Sequence, residues 1–405
     1  MSRIVSRVLL AVISLAFFGC SNPSVTSTTT GWPYDYSGEN AFKSTLSLQS
    51  KVPPGMVAIE GWSYTVTDLQ EYETASRRVK TNDPNTHKTL TVNSFYMDER
   101  EVRNIDWREY QVWLQKVYGK VAPEIVEAAK PDIDAWMEGL SGTDPFMMNY
   151  FTHPSFNEYP VVCISWEQAA AYCAWRTDRA NEILLIRAGA IKAPDFDAIA
   201  AMETLDEVQR AVFSTKNYYG SAQENLAKSA VGLYPDFRLP TEDEWEFAAY
   251  ARKRTDPEST IKVYPWSETT LAKLSPKQRA QQKAHFNGGR GSGSRVDHFS
   301  RTVPAGQYAP NDLGLYNMSG NVNEWVFDQY TSRANLNRID SVDALDALLP
   351  DYHSIPDARI YKGGSWKDPI YWLHPASRRY QDSRKGANHI GFRCAMSMVP
   401  DPIRL

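Results

Sequence analysis

The sequence predicts a domain of mixed helices and short strands, in which long, ordered loops make up much of the chain. Three observations carry this expectation. Two helix starts are written as capping boxes, Ser165-Trp166-Glu167-Gln168 and Thr241-Glu242-Asp243-Glu244. In such a box the first side chain caps the N–H three residues on, and the last side chain reaches back. Short β-branched or apolar runs, Met56–Ile59, Thr89–Tyr96 and Pro160–Ile164, have strand composition. From Asn287 onward helical periodicity fades, and Gly, Asn and Asp crowd into NGGRGSGS, APNDLGLYNMSGNVNEW, YKGGSW and GANHIGFRC. Loops of that length without regular structure need a staple, such as a metal or a disulfide.

The elements follow in chain order. Met1 to Arg7 is short and basic, and Val8 to Phe18 is apolar. That run is too short for a bilayer core of roughly 30 Å, which takes about 20 residues. It ends in Ala16-Phe17-Phe18-Gly19-Cys20, which resembles the lipobox of bacterial lipoproteins. The resemblance implies a signal peptide over 1–19, cleavage before Cys20 and acylation of its thiol. Residues 20–52 are polar at first and end before Pro53-Pro54, so they are expected to be a tether. Residues 53–400 are expected to form the folded domain. Within it, Ile105 to Tyr118 has helical spacing through Trp107, Tyr110, Leu114 and Val117. Helices follow each capping box. Insertions are expected near 119–158, 178–236 and 331–357, the second of them rich in alanine and charge and read as added surface helices.

Composition excludes some classes. The 405 residues carry a formal net charge of -4, which offers no basic stripe, so nucleic acid is not an expected partner. No second apolar run of spanning length occurs, so the body is not expected to be embedded. Of the four cysteines, Cys20 is assigned to lipid. Cys163, Cys173 and Cys394 remain, one pair and one free thiol in an oxidising compartment. There is no CxxC pair for a zinc ribbon or thioredoxin-type site.

Seven stretches together resemble the formylglycine-generating enzyme (sulfatase-modifying factor) domain family. They are GMVAIEG (55–61), FYMDEREVRN (95–104), PVVCISWEQAAAYCAW (160–175), RLPTEDEWEFAA (238–249), GLYNMSGNVNEWVFD (314–328), GGSW (363–366) and IGFRCA (390–395). The implied fold is an irregular α+β domain related to C-type lectins. A closer resemblance, to GldJ-type lipoproteins of gliding motility and type IX secretion, rests on Thr30-Gly31-Trp32, VNSFYMDEREV and WRTDRANEILLIRAG (175–189).

The resemblance also says what chemistry to look for. The oxidases of the family hold copper with two cysteines, three and eight residues after the serine of GGS. With Ser365 as that serine, the matching positions are Asp368 and Leu373. Soft thiolates select Cu(I), and neither a carboxylate nor a leucine replaces them. The catalytic positions are therefore expected to be lost, and no copper is expected. The seven histidines show no HxxxH or HExxH pair. GRGSGS (289–294) lacks phosphate-loop order. Glu242, Glu244 and Glu246 are read as carboxylates opening a helix and complementing its dipole.

Calcium takes oxygen ligands. The resemblance implies one calcium on Asn317, Gly320, Val322 and Glu324, and a second on Asn287, Gly288, Asp297 and Phe299. It pairs Cys173 with Cys394 and leaves Cys163 a buried thiol. The expected function is that of a non-catalytic outer-membrane lipoprotein facing the periplasm. Its partners are expected to be other lipoproteins and envelope proteins of the secretion or motility machinery. The alternatives are a formylglycine-generating oxidase for sulfatases and a glycan or peptidoglycan binder.

Overall fold

The structure, a computed structural model, describes residues 27–32, 52–67, 87–138, 149–222, 232–255, 264, 284–287, 301–330 and 355–398. Its β structure is short and non-sequential. Met56–Ile59 (β1) pairs antiparallel with Phe95–Asp98 (β4). The far edge of β4 takes Ala395–Ser397 (β10), and β10 takes Phe237–Arg238 (β5). Ser63–Thr67 (β2) and His87–Thr91 (β3) form a separate antiparallel pair. In a third sheet, Asn323–Gln329 (β6) lies between Ala358–Lys362 (β7) and Ile390–Gly391 (β9), and Arg379–Asp382 (β8) flanks β7. The β6–β9 contact is parallel, the others antiparallel.

Two strand expectations are corrected. Thr89–Tyr96 is not one strand. Its first residues pair with β2 and its last with β1 and β10, because the chain changes sheets between them. Gly61 permits the crossing: a Cβ there would stand 2.3 Å from the Val92 carbonyl oxygen. Pro160–Ile164 is buried as expected but makes only one bridge, Pro160 to Arg103. Cys163 sits at φ 61, and the peptide groups of this run bond to separate loops, through Val102, Ala387 and Asp132.

The helices follow their sequence signals closely. Asn104–Tyr118 (α1) buries Trp107, Tyr110, Leu114 and Val117. Trp166–Arg187 opens on the Ser165/Gln168 capping box, and Glu242–Tyr250 on the Thr241/Glu244 box. The first of these runs ten residues into the expected 178–236 insertion. Beyond it the insertion holds three short helices, Phe196–Ala201, Leu205–Ala211 and Thr215–Ala222. The insertion near 119–158 contributes Pro123–Ala128, Ile133–Met137 and a single turn at Pro154–Phe156. Most of 331–357 lies outside the described residues, as does Cys20. No helix among the described residues is long and apolar enough to cross a membrane.

A plain tether over 20–52 does not hold for Ser27–Trp32. These six residues pack into the body, with Thr30 and Trp32 buried. Trp32 donates its indole N–H to the Arg179 carbonyl at 3.0 Å, and Arg176 donates to the Thr29 carbonyl at 2.9 Å.

One core cluster fills the space between α1, Trp166–Arg187 and the β1/β4/β10/β5 sheet. Trp107 is at its centre. It stacks on Tyr172 at 5.5 Å, meets Tyr110 and Phe392 edge-on, and donates to the Ala129 carbonyl at 3.0 Å. A second cluster, around Trp245, Phe247, Phe95 and Ile360, joins the three sheets. Trp107→Ala is expected to cost about 3–5 kcal/mol, because it leaves a large cavity and removes one of the two side-chain hydrogen bonds to the Ala129 carbonyl, the other coming from Gln111. Denaturant melts of the two proteins check this; a midpoint unchanged by the substitution would remove Trp107 from the core's centre.

Candidate functional site

The Gly- and Asn-rich loops of the sequence converge in space. Asn317–Asn321 leads into β6 through a run of left-handed backbone: Asn317 at φ 54, Gly320 at φ 95 and Asn321 at φ 64. Asparagine tolerates this region, and glycine is unrestricted there. At Gly320 a Cβ would also stand 2.5 Å from the His285 carbonyl oxygen, so the close approach itself requires glycine. The loop is tied by Gly320 N–H to Gly363 O and by Trp366 N–H to Asn321 O, both at 2.8 Å. The NMSG and GGSW segments are therefore one structural unit.

Glu324 lies beneath this unit, fully buried. Its carboxylate accepts both arms of the Arg393 guanidinium, at 2.6 and 2.7 Å, and the Trp245 indole N–H at 2.8 Å. Arg393 spends its other donors on the carbonyls of Asp98, Glu99 and Tyr316. A second buried carboxylate, Glu101, accepts the side-chain amides of Asn317 and Asn321 at 3.1 and 3.0 Å. Burial pushes its carboxyl up to about 7; Arg393 pulls it down and Glu324 pushes it further up. Glu101, Arg393 and the Asn321 amide were not singled out in the sequence. The available signal for Arg393 was a charged residue between Phe392 and Cys394 in GFRC; nothing local marked Glu101 or Asn321 as buried.

For the expected first calcium site, Asn317, Gly320, Val322 and Glu324 are hard oxygen donors of the class calcium takes. With Glu101 ionised, two buried carboxylates face one guanidinium and the cluster is short of one positive charge, which suits a cation; with Glu101 protonated the charges balance. Glu324, however, already has three N–H donors, so any cation shares it with Arg393. Among the described residues no group of three or more His, Cys, Asp and Glu is placed to hold a metal. For the second site only Asn287 is described. Its N–H bonds to the Asp368 carbonyl at 2.9 Å, while Gly288, Asp297 and Phe299 lie outside the described residues.

The two positions that the sequence resemblance matches to copper cysteines, Asp368 and Leu373, hold quite different groups. Asp368 forms a two-armed ion pair with Arg379, 2.7 Å on each arm, and accepts from the Asn323 amide and the Ser365 hydroxyl. Burial opposes its ionisation, but the hydrogen bonds and charge of Arg379, with Ser365, hold the carboxyl at about 2. Leu373 is fully buried among Tyr264, Ala284, Phe286 and Ile370. A carboxylate saturated by arginine and an aliphatic side chain supply no thiolate pair, so these residues do not fit Cu(I). His389 lies nearby, with burial and Lys367 keeping its imidazole neutral to about pH 3.

The sulfurs of Cys173 and Cys394 face each other at 3.4 Å as buried thiols, while Cys163 sits in a separate cluster with Trp136 and Tyr150. The helix-opening carboxylates divide. Glu244 closes its capping box and pairs with Arg238. Glu246, by contrast, is fully buried and pairs with Lys362 at 2.8 Å and Lys88 at 3.1 Å. Glu242 meets Lys362 at 3.3 Å and Arg378 at 2.6 Å. Reading Glu246 as a dipole partner is thus corrected. It faces inward because Lys362 on β7 needs a buried anion.

Burial disfavours the charged form of Glu242, yet Lys362, Arg378 and Lys88 outweigh it and hold the carboxyl at about 2, below its ordinary 4.5. A folded-state pKa below the unfolded one means the unfolded chain binds the extra proton. The Glu242 contribution is therefore complete above about pH 4.5 and lost as the pH falls toward about 2. Thermal melts across this window are expected to show a steep loss of Tm, with a shallower slope in Glu242→Gln. Parallel slopes would take this carboxylate out of the acid response.

Comparisons with known proteins can be set beside this geometry. The family model described as a sulfatase-modifying factor enzyme 1-like domain matches residues 43–398. The formylglycine-generating enzyme of Bos taurus is 24% identical over 411 residues, covering 94% of this chain and 86% of that protein. The inactive C-alpha-formylglycine-generating enzyme 2 of the same organism is 25% identical, covering 59% and 50%. Among solved structures, PvdO from Pseudomonas aeruginosa aligns over 86% of this chain and 96% of that one, with TM-score 0.45 and 17% identity. With a family model spanning most of its length, the chain belongs to the sulfatase-modifying factor enzyme 1-like domain family.

Proposed function

We propose that this protein is a non-catalytic member of its family, a lipid-anchored envelope protein that binds protein partners. The observation that carries this reading is the content of the two copper positions. Asp368 is committed to Arg379, and Leu373 is committed to the core. The lipobox-like segment ending at Cys20 supports the anchor. The resemblance to GldJ-type lipoproteins supports outer-membrane attachment, a periplasm-facing body, and partners among the lipoproteins and envelope proteins of type IX secretion or gliding motility. Relatives that carry the name of the active enzyme favour the oxidase alternative, and the relative named inactive favours the present reading.

The decisive assay incubates purified protein with copper, oxygen and a cysteine-bearing sulfatase peptide. No mass change diagnostic of formylglycine is expected above a heat-killed control. Product above that control would return the protein to the oxidases. Crosslinking in cells, followed by mass spectrometry, is expected to recover envelope proteins. Recovery of glycan in place of protein would favour the peptidoglycan-binding alternative.

Two staples belong to the same proposal. Calcium on Asn317, Gly320, Val322 and Glu324 would add stability by mass action, since it binds only the folded state. Melting with chelator and with added calcium is expected to give a higher Tm in calcium, with the increment reduced in Glu324→Ala. Coincident curves would remove calcium from the proposal. Oxidation of Cys173 with Cys394, 221 positions apart, would close a loop worth on the order of 5 kcal/mol in chain entropy.

A further inference from the structure

The docked N-terminal segment fixes how far the body can stand from a lipid on Cys20. Ser27–Trp32 is held at several points. Arg187 donates to the Gly31 carbonyl at 2.8 Å, and the Thr30 hydroxyl donates to Glu109 at 2.7 Å. The bonds from Arg176 to Thr29 and from Trp32 to the Arg179 carbonyl complete the set. The seat is built for this approach. At Gly55 a Cβ would stand 2.3 Å from the Thr28 carbonyl oxygen, and Gly31 adopts φ 77 beside Pro54. Thr30 and Trp32 are among the buried residues, so the segment is part of the body.

Seven peptide steps separate Cys20 from Ser27, and however they are arranged they span at most about 25 Å. If the body began instead at Val52, 32 steps would allow about 110 Å. Docking therefore cuts the reach of the anchor more than fourfold. It also selects a face. Thr28 is exposed, and its hydroxyl accepts from Arg103 at 2.6 Å; Arg103 in turn pairs with Glu158 at 2.6 Å, which is itself exposed. Arg100 and Glu99 border the same cleft.

We propose that Ser27–Trp32 is a docking clamp that holds the Thr28, Arg103 and Glu158 face of the domain against the lipid surface. This rests on the reading of Cys20 as the acylated residue. The clamp makes the protein a body seated at the membrane with a defined orientation, where a continuous tether would leave it to roam. Partners are then met on the faces turned away from the lipid.

The test uses full-length, lipid-modified protein in phospholipid vesicles that carry an acceptor dye on their headgroups. A donor dye is placed at Glu158→Cys; Cys163, Cys173 and Cys394 are buried and do not compete. Strong energy transfer is expected in this protein. An insertion of about 40 Gly/Ser residues between Ser21 and Asn22 raises the mean anchor-to-body distance to about 38 Å and is expected to abolish most of the transfer. The Thr30→Ala, Trp32→Ala double variant, which removes the Glu109 and Arg179 contacts and leaves those of Arg176 and Arg187, is expected to lose part of it. Mass spectrometry establishes acylation in each sample, and melting curves establish folding. Equal transfer in parent and insertion variant, both acylated, would overturn the clamp. A parent without acyl groups would instead overturn the anchor reading beneath it.

Discussion

A guanidinium buried in the middle of the molecule, Arg393, is matched to one buried carboxylate, Glu324, and most of the central architecture is arranged around that pair. Moving both charges out of water is costly, and the pair is tolerable only with every donor and acceptor used. That demand is met from three directions. Trp245 reaches Glu324 from one helix, and the carbonyls of Asp98, Glu99 and Tyr316 come from two further segments to complete Arg393. Removing any of these segments would leave the pair short of a hydrogen-bond partner in the interior. This is how a domain with such short strands holds a fixed arrangement: its loops are fastened by ionic and amide contacts where a larger sheet would use a ladder.

The same device recurs twice. Asp368 and Arg379 fasten the GGSW loop to β8, with Asn323 bonding to both partners. Lys362 is buried between Glu242 and Glu246 beneath the Thr241 helix start, its third donor going to the Ser377 carbonyl. The Asp368–Arg379 pair makes the GGSW loop a structural joint against β8. A paired carboxylate offers geometry and charge but no soft donor for a redox metal.

Arg176 plays a related part for the N-terminal segment. It is fully buried, pairs with Asp98 at 2.7 Å, and donates to the carbonyls of Thr29 and Pro54. Asp98 also accepts the Cys394 N–H at 2.9 Å. One helical arginine thus joins the docked segment to β4 and, through Asp98, to the Cys394 peptide, whose thiol faces that of Cys173 on the arginine's own helix. Attachment of the segment and integrity of the core are coupled through a single side chain.

The sequence by itself determined the features whose causes are local. Capping boxes at Ser165 and Thr241 start helices because their hydrogen bonds span three residues, and the Trp107-Tyr110-Leu114 spacing marks a buried helix face for the same reason. That Asp368 and Leu373 supply no thiolate was equally legible, since it needs only residue identity. Tertiary structure alone decided the rest. Thr89–Tyr96 reads as one strand, but its two halves serve different sheets. Glu246 reads as a helix-opening carboxylate that complements the dipole, but Lys362, 116 positions away, pairs with it inside. Residues 27–32 read as a tether, but carbonyls with no partners of their own meet Arg176 and Arg187 from a distant helix. In each case the deciding term is the satisfaction of a buried charge or peptide group by a residue remote in the chain, and such pairings follow from how the chain closes on itself, which no local pattern encodes.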